Sequence, residues 1–367
     1  MEVIKKIMKR FGIILAALAG IVLLAAIVLL AFRAVNRSKY KIQSERGIDE
    51  SITIDINGIH QYLNIRGEDI ANPVMIFLHG GPGSPMGFAA PYYQRPIEKE
   101  FTVINYDQRG CGRTYYANHQ STDHLTTEQL ERDLDAIVDY ARKRFGQEQV
   151  VIMGHSWGTI LGMHYVHDHP EKVAAYIGVS QGVNNLYSGK IMLGEKALAL
   201  AENSDKKDAA KLSAALERMK RVQTFDGMAL SDLMTVASLS AKYLSCGEEM
   251  SSLGQVWTGI TSPYMNLTDV RWFLNMSDTE SFFAMEEELM REAFFGFDLT
   301  EFGSEYECPV YFICGSNDCA IPQEPTAAYY ETITAPDKAL VTIPNSGHSM
   351  FMDKPEEFAA AVLGFFE

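Results

Sequence analysis

Two serines sit midway between paired glycines, in GHSWG at residues 154–158 and in GVSQG at 178–182. A serine hydroxyl is a weak nucleophile alone. It attacks a carbonyl carbon when a neighbouring base takes its proton and a third group orients that base. The G-x-S-x-G pattern is short and the chain has 28 glycines, so the flanking residues must decide. Ser156 follows the continuous apolar run QVVIMG (149–154) and precedes WGTILGMHYVHDHP (157–170), which places Ile160, Leu161 and Tyr165 on one helical face. A buried strand, a sharp turn and an immediate helix would present the serine at the edge of a sheet. The glycines permit the strained turn and the close strand–helix approach. Ser180 also ends a strand-like run, VAAYIGVS (173–180), but NNLYSG follows with no helical face. It is read as a strand-end residue leading into the next segment.

The base and the acid must come from elsewhere in the chain. Among nine histidines, only His348 lies beyond the central helical stretch, in PNSGHSMF after the run ALVTIP (339–344). Asp318 lies three residues past the buried run PVYFICG (309–315), on a loop closed by Pro322. Each alone reads as a turn-capping aspartate or a solvated loop histidine. Loops at strand carboxyl ends gather the reactive groups of parallel sheets, and the order Ser, Asp, His is one that such sheets use. Together they assign Ser156 as nucleophile, Asp318 as orienting acid and His348 as base. An oxyanion needs two N–H donors, and Trp157, the first residue after the nucleophile, supplies one. Gly81, in the HGGPGSP loop (79–85), supplies the other. Asp107 in DQRGCGR precedes the strand–turn–helix of Ser156, out of the order Ser, Asp, His, and is expected in a structural ion pair. HYVHDH (164–169) ends a helix at Pro170 with no known ligand spacing and reads as a solvated terminus. No metal or cofactor is expected.

The elements that position these residues alternate. SITIDINGI and HQYLNIR form a hairpin turning at Asn57-Gly58. PVMIFLHG (73–80) and FTVINYD (101–107) are strands buried on both faces. Residues 126–145 form a helix, with Thr126 and Gln129 as a capping box and Gly146 as its stop. Strand, helix, strand in alternation means a mostly parallel central sheet flanked by helices. From 186 to 300 no buried-strand run occurs, so this block is a helical cap inserted between strands of one sheet. The organisation is residues 1–48 as anchor and linker, 49–185 and 301–367 as the two parts of the core, and 186–300 as the cap.

Residues 11–32, FGIILAALAGIVLLAAIVLLAF, carry no polar side chain. As a helix they span about 33 Å, enough for the hydrocarbon core of a bilayer. The run is long for a cleaved signal and lacks a small-x-small site before AFRAVNRSKYK, so a retained single-pass membrane anchor is preferred over a cleaved signal. Lysines and arginines flank both ends. The short basic N-terminus favours an extracytoplasmic body. Residues 1–46 hold nine Lys/Arg and two Asp/Glu, whereas the remainder holds 23 basic and 45 acidic residues. That acidic body argues against nucleic acid as a partner. The five cysteines show neither metal spacing nor a disulfide framework; most read as small buried hydrophobes, with Cys308–Cys314 or Cys308–Cys319 left open as a bridge.

FLHGGPG, INYDQRGCGR, GHSWG, GSNDCAIP and SGHSMF together resemble the α/β-hydrolase superfamily, and within it the proline iminopeptidases, over residues 50–367. The resemblance implies an α/β-hydrolase fold with a cap, and a serine peptidase releasing an N-terminal residue, preferably proline, from small peptides. It carries the nucleophile to Ser156, the acid to Asp318, the base to His348 and the oxyanion donors to Gly81 and Trp157. Thr114 and His155 depart from its usual serine and glycine. The family anchors the substrate amine with cap glutamates near a tryptophan. Here Trp257 has no adjoining acid, and Glu248 and Glu249 match no motif. The expected partners are a small peptide or acyl-ester substrate and a lipid bilayer. The rival readings are a carboxylesterase or lipase-like enzyme and a non-catalytic binding module.

Overall fold

Asn57 and Gly58 take positive φ of 45° and 81°, turning β1 (Ile48–Ile56) back antiparallel onto β2 (Ile59–Gly67). Gly58 has no Cβ to oppose that conformation, which is why Asn-Gly closes this hairpin. In the computed structural model, which describes residues 2–247 and 250–367, β2 then pairs antiparallel with β4 (Thr102–Tyr106). From β4 onward every neighbour is parallel: β3 (Val74–Leu78), β5 (Val150–His155), β6 (Val173–Val179), β7 (Val310–Gly315) and β8 (Lys338–Ile343). The order across the eight-stranded sheet is β1-β2-β4-β3-β5-β6-β7-β8.

All residues of β3, β4, β5 and β7 are buried. Each fully buried Val, Leu or Ile contributes about 1.5–3 kcal/mol, so these unbroken apolar runs belong between two helical layers. One layer includes Leu130, Leu134, Ile137 and Val138 of the helix Thr127–Phe145. Thr126 accepts from Gln129 N–H and Gly146 ends the helix at φ 65°. Gln129 does not return the bond to Thr126. Its amide donates to Asp133 at 2.8 Å, so only half of the expected capping box forms. On the other face Tyr93, Phe351 and Phe358 pack as an aromatic cluster against Phe77.

Between β6 and β7 the described residues form helices, from Leu186–Ala201 to Glu287–Arg291, and no strand. The first begins six residues after Ser180, capped by Asn185, so NNLYSG enters a helix that its composition conceals. This block is tied to the body at several points. Arg113 pairs with Asp269 at 2.7 Å, Trp272 Nε1 donates to Gly83 O at 2.8 Å, and Ser262 Oγ donates to Phe88 O at 2.5 Å. The cysteine expectation is corrected: Cys246 of this block and Cys319 form a disulfide, while Cys111, Cys308 and Cys314 are free and buried. The partners lie 73 positions apart, and no local spacing could reveal the pair. The N-terminal helix runs Glu2–Lys39 with none of its most apolar window buried, long and apolar enough to cross a membrane.

A cross-link closing so long a loop restricts the unfolded chain, and its loss costs about 2–4 kcal/mol. Replacing both Cys246 and Cys319 by serine, or reducing the detergent-solubilised protein, should therefore lower the denaturant midpoint by a corresponding amount. Unchanged unfolding curves would show that the bridge adds nothing to stability.

Candidate active site

Ser156 sits at φ 54° and ψ −122°, a strained conformation for a residue with a side chain. It is held there from both sides. Its N–H donates to Val179 O at 2.9 Å on β6, and its carbonyl accepts from Thr159 N–H at 2.8 Å and Thr159 Oγ1 at 2.6 Å. The flanking glycines are required by space. A Cβ on Gly154 would lie 2.5 Å from Gly158 O, and one on Gly158 would lie 2.3 Å from Leu78 O. The helix Trp157–Asp168 begins at the next residue, so Trp157 N–H is among those without an intrahelical acceptor.

His348 Nε2 stands 2.9 Å from Ser156 Oγ, and His348 Nδ1 stands 2.9 Å from Asp318 Oδ2. Asp318 is buried, and burial alone would raise its pKa. The His348 ring beside it, together with N–H donors from Ile321 (2.9 Å) and Ala320 (2.7 Å), instead brings it down to about 2. An ionised Asp318 fixes the proton on His348 Nδ1 and leaves the Nε2 lone pair facing the serine. Ser180 lies 2.8 Å from Asp318 Oδ2 and 3.1 Å from His348 O. The second G-x-S-x-G serine thus braces the acid, a role its local sequence did not disclose.

Gly81, at φ 122°, lies in the loop after β3, beside Gly80, whose Cβ would stand 3.1 Å from that of Ser156. His79 anchors this loop: Nδ1 meets Gly80 O at 2.9 Å and Nε2 accepts from Gln108 N–H. Burial drives the His79 pKa down to about 4, so the ring is neutral. His155, also buried, meets His348 O at 3.1 Å and is pushed down to about 3. It supports the loop without adding charge.

Among the described residues Asp107 forms no ion pair, contrary to expectation. Its carboxylate accepts from Arg113 N–H at 2.6 Å at the start of a short helix, and burial raises its pKa to about 7. The arginines of DQRGCGR pair elsewhere, Arg109 with Asp133 and Arg113 with Asp269. His164, His167 and His169 face separate carboxylates, Glu292, Asp168 and Asp135, rather than a common centre.

The sequence missed Glu286. It stands in the cap, 1 % exposed, with Oε1 lacking any hydrogen-bond partner, and burial pushes its pKa up to about 8. A Cβ on Gly83, in the HGGPGSP loop, would come within 2.9 Å of that oxygen. Trp272, not Trp257, is the cap tryptophan at this loop; Trp257 is half-exposed against the N-terminal helix. Glu248 and Glu249 lie outside the described residues. The only local signal for Glu286 was the run MEEELMRE, which composition reads as a solvated helix face.

Residues 73–355 match the family model of the α/β-hydrolase fold. A probable aminopeptidase of Bacillus subtilis, YbaC, is 27% identical over 313 residues, covering 83% of this chain and 92% of that protein. A proline iminopeptidase of Heyndrickxia coagulans is 26% identical over 319 residues, 85% of this chain and 96% of its own. The crystal structure of a bacterial membrane phospholipase A superposes with a TM-score of 0.60 at 15% identity, over 99% of this chain and 98% of that one, a likeness of fold.

Glu286 has a testable signature in stability. The native state keeps its proton up to about pH 8, while the unfolded chain releases it above about 4.5, so stability falls as pH rises between these values. Glu286→Gln removes that loss. Urea unfolding at pH 5 and pH 7.5 should show the variant gaining about 3 kcal/mol relative to wild type across this interval. A difference independent of pH would mean that Glu286 is already ionised.

Proposed function

The chain belongs to the α/β-hydrolase fold family, and we propose that it is a membrane-anchored serine hydrolase of aminopeptidase type, acting through an acyl-enzyme. The observation that carries this reading is the relay Ser156 Oγ–His348 Nε2–Asp318, 2.9 Å at each step. Ser156 Oγ attacks the scissile carbonyl carbon while His348 Nε2 accepts its proton. Asp318 stabilises the imidazolium, and the N–H groups of Gly81 and Trp157 receive the developing oxyanion. Collapse breaks the C–N bond, with His348 returning the proton to the departing amine. Water, deprotonated by the same imidazole, then releases the acyl group and restores Ser156. This chain's residues require no metal for any of these steps.

Peptidase rather than esterase chemistry is supported by Glu286. A buried carboxyl without a partner, beside the oxyanion loop, is suited to a substrate ammonium. The incoming cation would favour the carboxylate over the acid that burial now retains, with the proton passing to solvent, and form an ion pair that only an amine-bearing substrate can make. The relatives named for aminopeptidase and proline iminopeptidase activity agree with this choice. The Cys246–Cys319 disulfide favours an oxidising compartment, hence a body outside the cytosol, with the helix Glu2–Lys39 as the anchor.

Two substrates separate the readings. Ser156→Ala should abolish hydrolysis of prolyl-arylamide and prevent fluorophosphonate labelling, with turnover falling about 10⁴-fold or more. Glu286→Gln should raise KM for prolyl-arylamide by about 10–100-fold while leaving an amine-free acyl ester within about 2-fold, since one charge-assisted bond is lost. Hydrolysis of esters alone by the wild-type protein would reject the aminopeptidase reading.

A further inference from the structure

Resting on the membrane-anchored hydrolase reading, we propose that the cap face formed by the helices Ser252–Thr261 and Leu267–Ser277 lies in the bilayer surface. The cavity between them then admits the apolar tail of a membrane-partitioned amphiphile to the catalytic serine. The height of this face is set by the anchor. The apolar run ends at Phe32, and charge begins at Arg33. Phe32 packs edge-on against Trp257, with ring centroids 5.0 Å apart. Arg33 donates to Pro263 O at 3.5 Å and to Met265 O, and Asn36 Nδ2 donates to Thr261 O at 3.1 Å. The first of these cap helices is therefore fixed at the level where hydrocarbon gives way to headgroups, the depth that tryptophan favours.

The exposed side of these helices suits that medium. Ser252–Thr261 carries no charged side chain. Leu253 is 82 % exposed, Leu267 81 % and Leu274 65 %, with Val256 and Trp257 beside them also open. On a body otherwise rich in acids, such exposed leucines on two helices mark a contact surface, and the packing of the first helix against the N-terminal helix points to the bilayer as that contact. Behind the patch lies a cavity of about 490 Å³ lined by Val256, Gly259, Ile260, Met265 and Phe273. Its lining also includes Met86, in the segment after the HGGPGSP loop, and Ser349, next to His348. A chain entering between the two helices would meet Ser349, the neighbour of the candidate base. The chemical class this favours is an amphiphile whose apolar tail lies on the leaving-group side of the hydrolysable carbonyl, with the free amine that Glu286 would hold on the other side.

The test uses the full chain reconstituted in phosphatidylcholine vesicles whose acyl chains are brominated near the headgroup. Trp157 and Trp272 are buried in the protein, so Trp257 is the tryptophan that lipid can reach. Brominated lipid should quench wild-type emission by at least about twice the fraction lost by Trp257→Phe. Quenching of Trp257 by aqueous iodide but not by brominated lipid would overturn the proposal. In the same vesicles, kcat/KM for the octyl ester of proline should exceed that for its methyl ester by about 10-fold or more, through burial of added methylenes. Gly259→Leu, which builds side chain into the cavity, should lower this ratio several-fold. A flat chain-length profile, or a ratio unaltered by Gly259→Leu, would remove the cavity from the account. Loss of all Ser156-dependent turnover would instead count against the hydrolase reading, and Trp257 quenching would still decide where the face lies.

Discussion

A buried carboxylate ringed by donors is the constraint on which the site depends. Asp318 sits with 3 % of its side chain exposed, where an unpaired charge would not persist. Its oxygens meet two backbone N–H groups of its own loop, the Ser180 hydroxyl and the His348 ring. Those contacts require three consecutive strands to be in register. β6 delivers Ser180 opposite the end of β7, where Ser180 N–H donates to Ile313 O at 2.9 Å. β8 delivers the loop of His348, where Ser316 N–H meets Ile343 O and Asn317 N–H meets Ser346 O, each at 3.0 Å. The ring's orientation toward Ser156 follows from the acid, and the acid's ionisation follows from the sheet.

This dependence explains what could be read from the sequence. The strand–turn–helix of Ser156 was legible because its signals are local: a run of five or six buried residues, paired glycines and a helix at the next residue. The order of Asp318 and His348 was legible because loops after parallel strands face the same edge. Ser180 was placed correctly at a strand end, but its role was hidden because the carboxylate it serves lies 138 residues away. Glu286 and the Cys246–Cys319 bridge share that difficulty. Each is defined by a partner that only the cap's docking brings near. The ion pair assigned to Asp107 failed for a related reason, since the two arginines beside it in sequence are claimed by Asp133 and Asp269.

The cap therefore does more than roof the site. Gly247 lies directly against the histidine loop; a Cβ there would lie 2.7 Å from Gly347 N. Asn317 Nδ2 donates to Ser245 O at 2.8 Å, and Cys246 is bonded to Cys319 beside the acid. Asp353 accepts from Met250 N–H at 2.9 Å and from Gly347 N–H at 3.1 Å, joining cap and histidine loop through one carboxylate. Residues 245–247 thus contact the loops of both Asp318 and His348. Cap displacement large enough to move these residues would disturb the Ser156–His348–Asp318 hydrogen bonds.

The same cap is also clasped by the N-terminal helix, through Trp257 and the 261–265 segment. A mechanical chain of packed elements therefore runs from the N-terminal helix through Ser252–Thr261 to Met250, Asp353 and the loop of His348. A body tethered only by a flexible linker would have no reason to place an uncharged helix against the anchor and leave its apolar side open. In water that arrangement exposes leucines at a cost of about 25 cal/mol per Å² of apolar surface. Set against a membrane, the same leucines are buried and the cost is reversed. The proposed membrane contact of the N-terminal helix would thus account for a cap surface that the fold itself does not require.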